Sequence, residues 1–413
     1  MKKHPTSRIQ HRTPNGRNTA APIRGGWRLK VKGWMIIFAA GWLAFDASAV
    51  GGGQIQSLKE AFKNDFLIGV ALNEAEFTGR NTNAVAVVKA QFDSISPENA
   101  LKWESIHPRR FGFNFGPADA YVAFGQKNGM FIVGHNLVWH SQTPKWVFQS
   151  DQGSRTVERK RQSVTRDALL QRMSNHIFTV VGRYKGKIGG WDVVNEALDD
   201  DGTLRKSQWE KIIGPDYIIK AYQFAHEADP QAQLYYNEFS LENEAKRNGA
   251  ITLVGKLQAA GIPIAGVGLQ GHYKMDWPTT NQVDETITAL SKLGVKVMIT
   301  ELDLDLLPPA TKSQAAEVSM NVALRAELNP YTNGLPDSVQ QQLAQRYADL
   351  FAMFVKHHDA VSRVTFWGVT DADSWLNFWP VKGRTAYPLL FSRDCQPKPA
   401  FDAVLKTAGA ALP

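Results

Sequence analysis

Two acids stand out by where they sit. In V-M-I-T-E-L-D-L-D, Val297 to Asp305, an apolar run that reads as a buried strand carries Glu301 and Asp303 at its far end, where charges would have to be desolvated. In W-D-V-V-N-E-A, Trp191 to Ala197, a second such run leads into Asn195 and Glu196. A pair of carboxyls brought to one place can divide acid and base work, provided that their surroundings hold one protonated and the other ionised. Asp303, two residues beyond Glu301 and on the same face of a strand, is placed to hold and charge-balance a histidine such as His272.

The elements that must position these acids follow from periodicity. Eight apolar runs read as strands: Leu67 to Leu72, Phe92 to Ser96, Met130 to Leu137, Gly190 to Val194, Gln233 to Tyr236, Gly266 to Gln270, Lys296 to Thr300 and Arg363 to Val369. Amphipathic stretches lie between them, such as Arg166 to Tyr184 with Leu169, Met173, Ile177 and Val180 on one face, and Ser338 to His358 with Leu343, Tyr347, Leu350, Phe351 and Phe354. Strand and helix alternating eightfold predict an α/β fold, a single (β/α)₈ barrel; an open doubly wound sheet is the alternative that periodicity leaves. One connection, from Asp305 to about Ser338, is long and broken by Pro308-Pro309, Asn329-Pro330 and Asn333-Gly334.

In a barrel the chemistry gathers where strands finish. Immediately after or at the ends of these strands come Asn73 and Glu74; Glu98, Asn99 and Lys102; His135, Trp139 and His140; Asn195 and Glu196; Asn237 and Glu238; Gln270 and His272; Glu301 and Asp303; Trp367, Asp371 and Trp375. Amides, carboxylates, histidines and a lysine bind hydroxyls as donors and acceptors, and tryptophan faces offer flat walls to a sugar ring. Carbohydrate is the ligand this composition fits. Hydrolysis of a glycosidic bond then uses both acids, since one protonates the departing oxygen and the other attacks C1 or activates water across the sugar. Asn195 is suited to the hydroxyl beside the reacting centre.

Bulk properties agree. The 413 residues are 43% hydrophobic and 21% charged, an ordinary globular composition. The formal charge of +8 suggests a nucleic-acid partner until it is divided along the chain: residues 1 to 49 hold nine Lys or Arg and one acid, and the remainder holds 38 of each sign. Nucleic acid is therefore not an expected partner. The basic stretch is followed by the apolar run Gly33 to Phe45 and by A-S-A at 47 to 49, the layout of a secretion signal. Residues 1–49 are expected to be a cleaved signal, 50–56 a flexible segment containing Gly51 to Gly53, and 57–408 the catalytic domain. A secreted protein, periplasmic or extracellular, follows, with no stable membrane association after cleavage; an uncleaved anchor is the alternative, but 13 apolar residues are short for a span of about 20. Cys395 is the only cysteine, which excludes an internal disulfide and a multi-cysteine zinc site.

The stretches P-E-N-A-L-K-W (97 to 103), G-H-N-L-V-W-H-S-Q-T-P (134 to 144), W-D-V-V-N-E-A (191 to 197), G-L-Q-G-H (268 to 272), I-T-E-L-D (299 to 303) and W-G-V-T-D-A-D-S-W (367 to 375) resemble glycoside hydrolase family 10, the endo-β-1,4-xylanases. The similarity spans roughly residues 57 to 408. It implies a (β/α)₈ barrel that cleaves xylan internally with retention by double displacement, Glu196 serving as acid/base and Glu301 as nucleophile. It implies further that Glu98, Asn99, Lys102, His135, Trp139, Gln270, His272, Trp367 and Trp375 bind xylose units on the non-reducing side of the cut, and that no metal or organic cofactor takes part. A monomer is expected. In Y-N-E-F (236 to 239) the family more usually has aspartate and tyrosine after the asparagine, so Glu238 and Phe239 depart from the pattern.

Rival readings are written in the same residues. G-V-G-L-Q-G, Gly266 to Gly271, satisfies a dinucleotide-binding pattern, but that motif needs a helix to begin inside it, and Pro278 arrives before any helical run. A non-catalytic sugar-binding barrel would have no need of both Glu196 and Glu301. H-E-A-D at 226 to 229 lacks the second histidine of a zinc signature, and His357-His358 reads as a solvated pair.

Overall fold

The computed structural model describes residues 57–150, 163–310 and 322–409. The expected signal, the Gly51 to Gly53 junction and part of the long connection lie outside these residues. Among the described residues nine strands form, in chain order: β1 (Leu67–Leu72), β2 (Ser94–Pro97), β3 (Phe131–Trp139), β4 (Gly190–Asn195), β5 (Gln233–Glu238), β6 (Ile264–Leu269), β7 (His272–Lys274), β8 (Lys296–Asp305) and β9 (Val361–Phe366). All pairings are parallel: β1 pairs with β2 and β9, successive strands pair from β2 to β6, and β6 pairs with β8, which pairs with β9. The eight long strands therefore close on themselves as a (β/α)₈ barrel, and the open doubly wound alternative is excluded.

Each strand is a run that can be buried on both faces, as a parallel sheet under helices requires. β1, β2 and β4 are buried along nearly their whole length. The helix Arg166–Arg183, capped by Thr165 accepting from Ala168 N, buries Leu169, Met173, Ile177 and Val180 against the barrel. Asp337–Lys356 does the same with Leu343, Tyr347, Leu350, Phe351 and Phe354. Each such side chain contributes about 1.5–3 kcal/mol relative to exposure, so these faces hold the outer layer in place.

The structure departs from expectation at β8 and at His357, and agrees with it at the glycine motif. β8 continues beyond Thr300 to Asp305, so Glu301 and Asp303 lie within a strand and not after one. The cause is β7, which pairs His272 with Asp303 and Lys274 with Asp305 and so extends the ladder. The short β7 carries no readable alternation, and nothing in the sequence announced it. Next, the glycines of G-V-G-L-Q-G serve packing: a Cβ on Gly266 would sit 2.7 Å from Met298 Sδ, and one on Gly268 would sit 2.4 Å from Asn237 Oδ1. Strand β7 follows Gly271, not a helix, so the dinucleotide reading fails. Finally, His357 is not solvated; its Nε2 meets Asp284 Oδ1 while His358 stays half-exposed.

The long connection has a visible role within its described part. Leu307 and Tyr331 pack with Leu376, Ala386 and Trp375 in a small apolar cluster separate from the main core. Asn329 Oδ1 accepts from Thr385 N at 2.8 Å and Tyr331 O accepts from Tyr387 Oη at 3.1 Å. The connection thus buttresses the loop that carries Trp375.

Candidate active site

One cleft at the C-terminal end of the barrel collects Glu98, Asn99, Lys102, His135, Trp139, Asn195, Glu196, Gln270, His272, Glu301, Trp367 and Trp375. It also takes in Gln142 and Trp379, which sequence reasoning missed. Gln142 stands just past β3 with φ +44°, and Trp379 stacks on Trp375 with ring centres 4.8 Å apart. A second tryptophan shortly after Trp375 was the one available signal for the latter. Asp303, almost fully buried, lies behind the cleft.

Glu301 projects from β8 into a set of donors. Asn237 Nδ2 donates to its Oε1 at 2.7 Å, and His272 Nε2 lies 3.1 Å from its Oε2. The other ring nitrogen of His272 lies 3.0 Å from Asp303 Oδ1, and Trp375 Nε1 donates to Asp303 Oδ2 at 2.6 Å. Both imidazole nitrogens face carboxylate oxygens, an arrangement that only the doubly protonated ring satisfies. Burial alone would lower the His272 pKa, but Asp303 and Glu301 outweigh it and push it up to about 10. Burial likewise opposes ionisation of Glu301, yet the His272 hydrogen bond and the neighbouring His135 and Asn237 win, and its carboxyl is held below the ordinary range. Glu301 is thus kept as an anion.

Glu196 is held differently. It follows the last residue of β4 with φ +54°, a left-handed conformation uncommon for a residue with a side chain. Trp139 Nε1 donates to its Oε2 at 2.8 Å, while Gln270 Nε2 and Asn195 Nδ2 donate to its Oε1 at 2.9 and 3.3 Å. Asn195 Oδ1 in turn accepts from Asn237 Nδ2 at 2.9 Å, so two amides bridge the space between the acids. Asn237 is oriented by Thr300 Oγ1, which donates to its Oδ1 at 2.6 Å. It was read as a strand-end residue but not as a site residue, because its contact with both halves of the pair exists only in three dimensions.

The rest of the cleft forms a polar floor and aromatic walls. Lys102 is buried, donates to Asn99 Oδ1 at 3.1 Å and lies over the Trp139 ring at 5.2 Å. Burial lowers its pKa, with Glu301, Glu98 and Glu196 opposing; burial raises Glu98, with Lys102 opposing. His135 Nδ1 meets Asp192 Oδ2 at 2.9 Å, and its ring edge abuts Trp367. Trp367, Trp375 and Trp379 thus present flat faces beside hydroxyl-binding groups. Two carboxyls, one held as an anion on β8 and one just past β4 accepting from an indole and two amides, can carry out a displacement at an acetal carbon.

Comparison with known proteins agrees with this geometry. The family model for glycosyl hydrolase family 10 matches residues 57–407. Endo-1,4-beta-xylanase A of Xylanibacter ruminicola is 42% identical over 369 residues, covering 89% of this chain and 98% of that protein. A beta-1,4-xylanase of Dictyoglomus thermophilum is 40% identical, covering 90% and 96%. Among solved structures, an endoxylanase of the same family retrieved from sugarcane soil metagenome superposes with a TM-score of 0.81 at 44% identity, covering 85% of this chain and 99% of that one.

Proposed function

The chain belongs to glycosyl hydrolase family 10, and from that premise we propose that Glu301 attacks the anomeric carbon of a β-1,4-linked xylose unit while Glu196 protonates the departing oxygen. The protein is a retaining endo-1,4-β-xylanase. What carries the assignment of roles is the contrast within one cleft: Glu301 is an anion facing the protonated His272, whereas Glu196 accepts from the indole of Trp139 and the amides of Gln270 and Asn195.

In the first step a Glu301 oxygen forms a bond to C1 as the C1–O bond to the reducing-side sugar breaks, and the Glu196 proton passes to that oxygen. In the second, Glu196, now a carboxylate, removes a proton from water, whose oxygen bonds to C1 and releases Glu301. Two inversions give net retention. Asn195 holds the hydroxyl next to C1, and Lys102, Glu98, Asn99, His135, Gln270 and His272 bind hydroxyls of the non-reducing-side sugars between the Trp367, Trp375 and Trp139 faces.

A 2,4-dinitrophenyl 2-deoxy-2-fluoro-β-xylobioside tests the assignment, because the fluorine slows the second step and leaves the sugar on the nucleophile. Mass spectrometry of the digested protein should find the added mass on the peptide containing Glu301. Label on any other carboxyl would overturn both roles.

We also propose that the enzyme is exported as a monomer, with residues 1–49 removed. The basic stretch, the short apolar run and Ala47-Ser48-Ala49 support export. Among the described residues no helix is long and apolar enough to cross a membrane. Mass spectrometry of the secreted protein should give an N-terminus at Val50, and an intact Met1 would refute it.

A further inference from the structure

The backbone that aims Glu196 is fixed by groups that never reach the cleft. Past the end of β4 three successive amides each find an acceptor on β5: Glu196 N donates to Asn237 O at 2.9 Å, Ala197 N to Tyr236 Oη at 3.2 Å, and Leu198 N to Glu238 Oε2 at 3.1 Å. Tyr236 Oη donates to the same Glu238 oxygen at 2.7 Å, closing a ring around the turn. Glu238 Oε1 accepts from Phe239 N at 3.1 Å and lies 3.1 Å from Lys246 Nζ. From the other side Arg205 binds the carbonyls: its Nε donates to Glu196 O at 3.2 Å, its Nη2 to Leu198 O at 2.9 Å and its own amide to Ala197 O at 2.8 Å.

Tyr236, Glu238 and Lys246 are all fully buried and none lines the cleft. They therefore cannot touch a sugar. A strand end needs no buried carboxylate and ammonium to fold, and removing such charges from water is unfavourable unless their hydrogen bonds are used. Here every bond of Glu238 goes to the turn that holds Glu196 in its left-handed conformation, or to the groups that steady Glu238 itself. We infer that Glu238, acting with Tyr236 through the amides of Ala197 and Leu198, is a positioning residue that sets the direction in which the Glu196 carboxyl meets the departing oxygen. The inference rests on Glu196 being the acid/base.

A positioning role and a merely structural one differ in which substrates suffer. Protonation by Glu196 matters when the leaving group is a sugar hydroxyl and hardly at all when it is dinitrophenolate, a stable anion. We would measure kcat/KM, which reports bond cleavage, for Glu238→Gln and Tyr236→Phe on xylohexaose and on 2,4-dinitrophenyl β-xylobioside, with Glu196→Ala alongside. Tyr236→Phe removes one hydroxyl and leaves no charge unpaired, so it keeps the test open even if Glu238→Gln does not fold. The expected result is a fall of about 10- to 100-fold on xylohexaose, since small misplacements of a general acid forfeit much of its 10²–10⁴-fold contribution, and a change within about twofold on the dinitrophenyl substrate. Equal losses on both substrates, or no loss on either, while Glu196→Ala shows the split, would overturn the positioning role and leave the acid/base assignment standing. No split in Glu196→Ala would overturn both.

Discussion

Glu301 leaves the interior of a strand that is hydrogen-bonded on both sides, whereas Glu196 stands one residue past the end of its strand in a left-handed backbone conformation. The first acid takes its direction from the β7–β8–β9 ladder and its ionisation from the neighbouring His272, itself braced by Asp303 and Trp375. The second takes its direction from side chains of β5 and from Arg205; its carboxyl accepts hydrogen bonds from an indole and two amides, with His140 Nδ1 farther off at 4.0 Å. A nucleophile must be a stable anion, and charge secures that. A group that gives up and regains a proton must be held in place without being fixed in one charge state, and geometry secures that.

The sharpest way to break this contrast is to remove each acid. Glu301→Ala should lower kcat/KM by about 10⁴-fold or more on xylan and on an activated aryl xylobioside alike, since no other group can bond to C1. Glu196→Ala should lose about 10²- to 10⁴-fold on xylan and little on the activated substrate. Initial rates on both substrates check this, and a Glu301→Ala variant with preserved activity would end the comparison.

His272→Asn should cost about 10²-fold on both substrates, because the cation that favours the Glu301 anion disappears whatever the leaving group. A loss confined to the poor leaving group would show that His272 serves the Glu196 side instead. Trp375→Ala follows with an effect of up to about tenfold, expressed in KM: it removes a stacking wall worth about 0.5–1.5 kcal/mol and frees Asp303 of its indole donor. Titration of initial rates against xylo-oligosaccharide concentration distinguishes it from a defect in kcat.

How much of this was legible follows from the type of signal each part leaves. The eight barrel strands are short apolar runs, and their burial on both faces writes itself into composition, so all eight were readable. β7, His272 to Lys274, exists because β8 extends beside it; no short-range pattern encodes that. Glu196 and Glu301 were visible as charges where apolar strands should have continued. Asn237 and Asp303 were visible as polar residues at the same places, but only the closed ring brings Asn237 within reach of both Asn195 and Glu301. Gln142 owes its place to a backbone turn after β3, and Glu238 showed in the sequence as a departure from a pattern without its cause. Pairwise contacts between distant strand ends carry no local periodicity, which is why the site's membership was readable and its wiring was not.

The smallest effect separates the two regions by pH. Burial raises the Glu238 carboxyl to about 7, against the pull of Lys246, and Glu196 adds to the rise. A carboxyl whose folded pKa is raised contributes stability that is fully present below its unfolded value of about 4.5 and is lost as pH rises through 7. His272, raised to about 10, contributes stability that is fully present below about 6.5 and is lost as pH rises through 10. The acid/base side should therefore weaken between about pH 4.5 and 7, and the nucleophile side between about pH 6.5 and 10. Thermal unfolding midpoints across about pH 4 to 11 read both windows: relative to wild type, Glu238→Gln should flatten the decline in the lower one and His272→Asn in the upper, each by about 2 to 4 °C. Parallel curves for His272→Asn and wild type above about pH 7 would mean that His272 is not held as a cation, and the distinction between an acid fixed by charge and one fixed by geometry would lose its electrostatic half.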